Sequence, residues 1–492
     1  MSGKSSVPGA GLWRETKAGA VQFGSAIARL GSPTIRLGVT GLSRAGKTVF
    51  ITAMVHALLA GSRMPAFRVM GEGRLAGARL SEHPDGSLPR FAYEDHLATL
   101  TGPERAWPYS TRRISALSLE LAYRSKRRYL GGLIGPSGLI GTGEAALALE
   151  IVDYPGEWLL DLPLLSKSYA EFSAETLKKA GEGARQAPFA PFIAALAETD
   201  AALPSEETRA QHLARLFTQA LRQCREEGRE LSALAPGRFL MPGDLEGAPA
   251  LTFVPLPPGE APAGSLRALM MRRYEAYKEK IVRPFFTDHF SRIDRQVVLV
   301  DVLGAINGGR EALADLEDAL VDVLAAFNLG ANSLISSLFA PRVSKLLFAA
   351  TKADHLHHAN HEKLEAILRV LVRRAQFRAQ GSGVPTDALA IAAIRATREV
   401  VARQAGEELA CIAGVPLAGE HLDGETFDGE GEAAFFPGDL PDNVETLFRE
   451  APPALKFLRF RPPGEEARKA AGGLPHIRLD RALDFLLGDA LR

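Results

Sequence analysis

Cysteine is almost missing from this 492-residue chain, with Cys224 and Cys411 as its two thiols. They supply neither a disulfide framework nor a CxxC pair for zinc, and such scarcity fits a reducing compartment, so a cytoplasmic location is expected. Net charge is missing too, since Lys plus Arg and Asp plus Glu both number 58. Without a global field, nothing points to nucleic acid as a partner. No run of about 18 uncharged apolar residues occurs, which argues against a membrane-spanning helix. Leu329 to Pro341 comes nearest, but it is short and broken by Gly and Asn. The first twenty residues lack the apolar core and cleavage site of an export signal, so none is expected. Between Leu12 and Leu30, Trp13, Val21, Phe23, Ile27 and Leu30 can share a helix with Arg14, Lys17 and Arg29. That pattern suits peripheral membrane association, although docking on the main domain is the expected outcome.

What the chain does have is apolar mass, 46% against 24% charged, enough for more than one core. Thr34 to Thr40 has a buried-strand pattern. Lys47 to Ala60 predicts a helix with Ile51, Met54, Val55, Leu58 and Leu59 on one face, stopped by Gly61. Gly71 to Arg113 is rich in Gly, Pro and charge and predicts mostly loop, followed by strands at Ala116 to Tyr123 and Ala145 to Val152. From Glu157 to Phe290 the pattern turns helical: Ser168 to Ala180, Ser205 to Glu227 and Ser265 to Phe290. Strand and helix alternation then resumes through Gln296 to Val302, Glu311 to Phe327, Lys345 to Ala350, His361 to Gln376 and Asp387 to Ile394. The expected fold class is α/β, a mostly parallel sheet with helices on both faces and a large inserted helical domain. The expected units are an N-terminal helical segment (1–33), a core in two parts (34–156 and 291–410), a helical insertion (157–290) and a C-terminal extension packed on the core (411–492).

The chemistry starts at Gly41-Leu42-Ser43-Arg44-Ala45-Gly46-Lys47-Thr48, a phosphate-binding loop between a strand and a helix. Its glycines let backbone N–H groups curl around phosphates, and the helix adds the positive end of its dipole. Gly41, Ser43, Arg44, Ala45, Gly46, Lys47, Thr48 and Val49 are the candidate phosphate contacts. Lys47 belongs at the β- and γ-phosphates and the Thr48 hydroxyl on Mg²⁺. Asp153-Tyr154-Pro155-Gly156 ends a buried strand, where a second acid would hold magnesium through water and Gly156 would offer an N–H to the γ-phosphate. Glu157 follows, where many GTPases carry a water-orienting Gln. It stands open between a base and a helix cap. Thr351-Lys352-Ala353-Asp354 follows another strand, and its carboxylate can accept the paired N1 and N2 donors of guanine, which adenine lacks. Arg395 and Ala396, after the next strand, form a further candidate base loop, with a simple strand end as its competitor.

Between the phosphate loop and Asp153, Thr111 is the first candidate for a hydroxyl that senses the γ-phosphate through Mg²⁺. Ser110 competes with it, as does a plain surface turn. Arg44, Arg112 and Arg113 are weighed as charge-neutralising groups and none is chosen. His355, His357, His358 and His361 lack an HExxH pattern and read as surface histidines rather than a zinc site.

The stretches GLSRAGKTVFITAMV, WPYSTRRI, DYPGEWLLDLPLL, VDVLGAINGGR, LLFAATKADH and PHIRLDRALDFLLGD resemble those of the YcjX-type P-loop NTPases, bacterial stress-associated GTPase-like proteins. The resemblance covers nearly the whole chain. It implies a Ras-like core with a helical insertion after the DxxG, guanine nucleotide (GTP/GDP) and Mg²⁺ in the cleft, and slow cycling as a switch toward an unidentified protein partner. A nucleotide-gated scaffold with negligible hydrolysis is the alternative, and an ATP hydrolase the third. Glu157 in place of Gln and TKxD in place of NKxD are departures from familiar small GTPases.

Overall fold

The computed structural model describes residues 33–42, 44–109, 113–126, 144–226, 229–328, 343–378, 384–404, 407–450 and 455–492. Expectations placed on Ser43, Ser110, Thr111 and Arg112, on 1–32 and on 329–341 lie outside the described residues.

Largely apolar runs make the strands, β-branched in β1 and β5 and rich in Leu and Ala elsewhere: β1 (Thr34–Gly41), β2 (Leu75–Ser81), β3 (Ser115–Arg124), β4 (Glu144–Asp153), β5 (Arg295–Val300), β6 (Lys345–Ala350) and β7 (Thr386–Ala390). They form a 7-stranded sheet in the order β2, β3, β4, β1, β5, β6, β7. β1 pairs in parallel with β4 and β5, and the parallel run continues through β6 to β7. β2 and β3 extend the other edge antiparallel. This mostly parallel sheet with helices on both faces is an α/β architecture consistent with a P-loop fold.

Successive strand residues point to opposite faces, so each strand serves two cores. Leu37, Val39, Val297 and Leu299 pack with α1 (Lys47–Ala60) and with the C-terminal helix Leu479–Leu487. Val298, Val300 and Phe348 pack on the other face, in one continuous cluster with the helices between β4 and β5. Those helices are α2 (Tyr169–Ala180), α3 (Gln186–Ala197), α4 (Glu207–Cys224) and α5 (Leu266–Tyr277). Ser168 starts α2 with a capping box, its hydroxyl accepting the Glu171 N–H at 3.2 Å while the Glu171 carboxylate accepts the Ser168 N–H at 2.8 Å.

Several elements differ from expectation for physical reasons. The Gly71 to Arg113 stretch holds the edge strand β2 and a helix at Tyr93–Thr101, both short and half-exposed, so neither left a clear apolar period. α1 is buried on more than one face, because sheet and C-terminal helix enclose it. The helix expected from Ser265 to Phe290 is broken by a π turn at Lys278–Val282 ahead of Pro284, which has no N–H for an interior helical bond. Position 410/411, expected as a boundary, falls inside the strand Glu407–Gly414, which pairs antiparallel with Arg398–Gln404. That hairpin carries the chain across the expected division.

Candidate phosphate and base site

Parallel pairing brings the motifs to one edge of the sheet. Val39 lies opposite Asp153 and Gly41 opposite Leu299, while Val300 pairs with Ala350 and Ala350 with Ala390. The phosphate loop, the DxxG turn, Asp301 after β5, the TKAD turn after β6 and the Arg395 loop after β7 therefore all leave the carboxyl ends of adjacent strands. Open α/β sheets bind their ligands at that edge.

The phosphate loop is tethered to the sheet by the Leu42 N–H, which donates to the Leu299 carbonyl at 3.0 Å. Arg44 (φ 57°) and Gly46 (φ 75°) both adopt left-handed backbone, the alternation that turns successive N–H groups inward as an anion nest. A Cβ built at Gly46 meets nothing within 4 Å, so there is room beside the loop at the start of α1. Lys47 at the head of α1 forms an ion pair with Asp153 at the end of β4. Thr48 is buried beside it, and the Ser115 hydroxyl donates to the other Asp153 oxygen at 3.5 Å.

The DxxG turn is pressed against the phosphate loop. A Cβ at Gly156 would stand 2.3 Å from the Gly41 carbonyl oxygen, so glycine is required here by close backbone approach. Residues Gly156–Ser166 then form a buried 3-10 helix. Glu157 is buried, and its carboxylate pairs with Arg225 at 2.7 Å. Arg225 closes the C-terminal end of α4 and, with Leu42, Arg44, Glu230 and Asp301, lines a small cavity beside the phosphate loop. Asp161 accepts the Gly237 N–H at 2.7 Å, the Arg238 N–H at 3.2 Å and the Tyr277 hydroxyl at 2.6 Å. Burial nevertheless raises the Asp161 carboxyl to about 6, because taking the anion out of water outweighs those bonds. Arg238 in turn lies 3.2 Å over the Trp158 ring.

At the other end of the edge, Lys352 is left-handed (φ 61°) and pairs with Asp301, while Asp301 also caps the next helix through the Gly304 N–H at 3.0 Å. Asp354 is buried. Its carboxylate accepts the Ala396 N–H at 2.8 Å and its carbonyl accepts the Thr397 hydroxyl. The TKAD turn and the Arg395–Ala396 loop, 42 positions apart in sequence, thus meet at one carboxylate.

The structure therefore gathers Gly41, Arg44, Ala45, Gly46, Lys47, Thr48, Asp153, Gly156 and Glu157 at one end of the edge. Thr351, Lys352, Asp354, Arg395 and Ala396 lie at the other. Val49 follows Thr48 inside α1. Sequence reasoning missed Asp301, although an acid closing the buried run QVVLVD is the same signal as Asp153. It also missed Arg225 and Asp161, for which no local motif exists. Among the histidines, His361 is buried with its imidazole held below its ordinary pKa by burial. His357 and His358 face Glu399, with His358 hydrogen-bonded to it at 2.7 Å. Their ligand atoms lie within 4.8 Å of one another, but Arg395 also reaches Glu399 at 3.3 Å, and a His–carboxylate–Arg network accounts for the cluster. No helix among the described residues is long and apolar enough to cross a membrane.

The chain is similar to known proteins over nearly its whole length. The model of the YcjX-like family, DUF463, matches residues 35–491. The Ras-like GTPase YcjX of Escherichia coli is 38% identical over 472 residues, 93% of this chain and 96% of that protein. The Ras-like GTPase YcjX of Shewanella oneidensis is 33% identical over 480 residues, covering 93% and 94%.

Proposed function

The chain belongs to the YcjX-like family, and on that premise we propose that it binds guanine nucleotide with Mg²⁺ and hydrolyses GTP slowly as a switch. The observation that carries this proposal is the Lys47–Asp153 ion pair between phosphate loop and DxxG turn. Lys47 is the residue that would meet phosphate and Asp153 the one that would face magnesium, and each presently neutralises the other. A magnesium-phosphate group would offer Lys47 an anion and Asp153 a cation, so both charges stay compensated on exchange.

Bound there, Mg²⁺ would neutralise charge on the β- and γ-phosphate oxygens. Amides of residues 44–48 would cradle the phosphates, with Gly41 and Ser43 completing the loop, and the Thr48 hydroxyl, Thr111 and Asp153 would serve the ion. The Gly156 N–H would sense the γ-phosphate, and Glu157 would orient or deprotonate the attacking water. Asp354 would accept the guanine N1 and N2 donors, with Thr351, Lys352, Arg395 and Ala396 around the base. We place the helices of 157–290 as the output element, because Glu157 and Asp161 are bonded into them. The cytoplasmic, stress-associated role and the protein partner rest on the family resemblance.

One observation favours a scaffold that hydrolyses negligibly: the buried Glu157 carboxylate is engaged by Arg225 at 2.7 Å rather than open to an attacking water. Base choice is tested by competition of GDP and ADP against a fluorescent guanine nucleotide in Mg²⁺. GDP should displace the probe at concentrations where ADP does not, and equal competition would contradict guanine reading.

A further inference from the structure

We propose that Arg225 is a cation supplied by the helical segment to the transferred phosphoryl group, and that its ion pair with Glu157 holds it in reserve until nucleotide binds. The proposal rests on the GTPase reading above and adds a residue that no local motif marks.

Three observations lead to it. First, Arg225 shares a cavity with Leu42 and Arg44 of the phosphate loop, although it comes from the end of α4. Second, it pairs with Glu157, whose side chain is only 8% exposed, at the position following the residue that abuts Gly41. Third, the backbone at 156–157 is clamped from both sides. Gly156 lies against the Gly41 carbonyl, and a Cβ at Gly237 would stand 1.9 Å from the Glu157 carbonyl oxygen. The loop cannot swing out without moving its neighbours, so the degree of freedom that remains is side-chain exchange.

A long arginine side chain with a planar fork suits that exchange, since carboxylate and phosphate oxygens present it with similar geometry. In hydrolysis the water oxygen bonds to the γ-phosphorus. The bond from phosphorus to the β,γ-bridging oxygen breaks with its electron pair left on GDP, and both water protons end on the released phosphate, which gives one up to solvent. Arg225 would neutralise the charge growing on the bridging and γ-oxygens, while Glu157, released from its ion pair, would hold the water. In the resting pair both groups are occupied, which is a physical reason for slow basal turnover.

The test uses the full-length chain with Mg²⁺·GDP and aluminium fluoride, a planar mimic of the transferred group. Dissociation of a fluorescent GDP is followed in wild type, Arg225→Ala and Glu157→Ala. Arg225→Ala should keep GDP affinity within about twofold of wild type, lose the slowing of GDP release by aluminium fluoride, and lower single-turnover phosphate release by roughly 100-fold. Glu157→Ala should retain aluminium fluoride capture. If the pair were only structural, the two variants would break the same contact and behave alike, and that result overturns the proposal. Capture retained in Arg225→Ala also overturns it, as does a wild type that binds GDP but shows no capture. A wild type that fails to bind GDP at all instead refutes the nucleotide reading itself. Should Arg225→Ala lose its fold, Arg225→Lys keeps the charge without the fork and should weaken capture while preserving GDP binding, and undiminished capture in that variant counts against the assignment.

Discussion

Gly156→Ala adds one methyl group where the DxxG turn meets the phosphate loop. Its Cβ would stand 2.3 Å from the Gly41 carbonyl oxygen, 2.7 Å from that carbonyl carbon and 3.1 Å from the Leu42 nitrogen. All three walls are backbone, so no flexible side chain can step aside. Relaxing to ordinary contact requires the two backbones to separate by roughly 1 Å. Overpacking of this kind costs about 1–3 kcal/mol, and the stiffer unfolded chain returns about 0.4–1 kcal/mol. The net loss is therefore at most about 2.6 kcal/mol, small enough for the fold to survive. Function should suffer more, because a displacement of about 1 Å at a reacting centre can cost on the order of 100-fold. Equilibrium titrations with fluorescent GDP and a non-hydrolysable GTP analogue, paired with urea unfolding of the same samples, measure both quantities. The analogue should lose about tenfold or more in affinity and GDP much less, since a lost Gly156 hydrogen bond to the charged γ-phosphate costs about 1.5 kcal/mol or more. Affinities for both nucleotides within about twofold of wild type would refute the reasoning.

Two further predictions concern buried carboxylates. The Asp161 carboxyl is raised to about 6 by burial, so the folded state holds its proton more tightly than the unfolded chain. The charged form therefore penalises stability as pH rises through the interval from the ordinary aspartate value to about 6, and the penalty is complete above it. Asp161→Asn should destabilise the protein in urea, and its deficit relative to wild type should shrink by about 1 kcal/mol between pH 5 and pH 7.5. A pH-independent deficit would show that Asp161 is not the titrating group. Asp354→Asn replaces the carboxylate that accepts the Ala396 N–H, and it should weaken GDP by at least about 100-fold while leaving ADP unchanged. Equal weakening of both would place Asp354 in loop structure rather than in base reading.

The legible parts of the molecule were those written into short contiguous stretches. The loop from Gly41 to Thr48, Asp153 with Gly156, and Asp354 each follow a strand whose apolar run announces it, and parallel register does the rest. The helix start at Ser168 and the stop at Gly61 are likewise local chemistry. The illegible parts depend on distant pairings. Asp161 is bonded to Gly237 and Tyr277, 76 and 116 positions away, and Glu157 is paired with Arg225 across α2, α3 and α4. The helical layer covers the segment after Gly156, and its eight buried side chains, from Glu157 to Leu164, make it part of the core. That burial makes it a packed connector between the phosphate loop and the helices.

Slow Mg²⁺-dependent GTP hydrolysis at the phosphate loop is tested most directly by single-turnover release of inorganic phosphate from GTP. Wild type in Mg²⁺ should release phosphate in a single exponential, and both Lys47→Ala and chelation of the metal should abolish it. No release from wild type, or equal release from Lys47→Ala, would contradict the account.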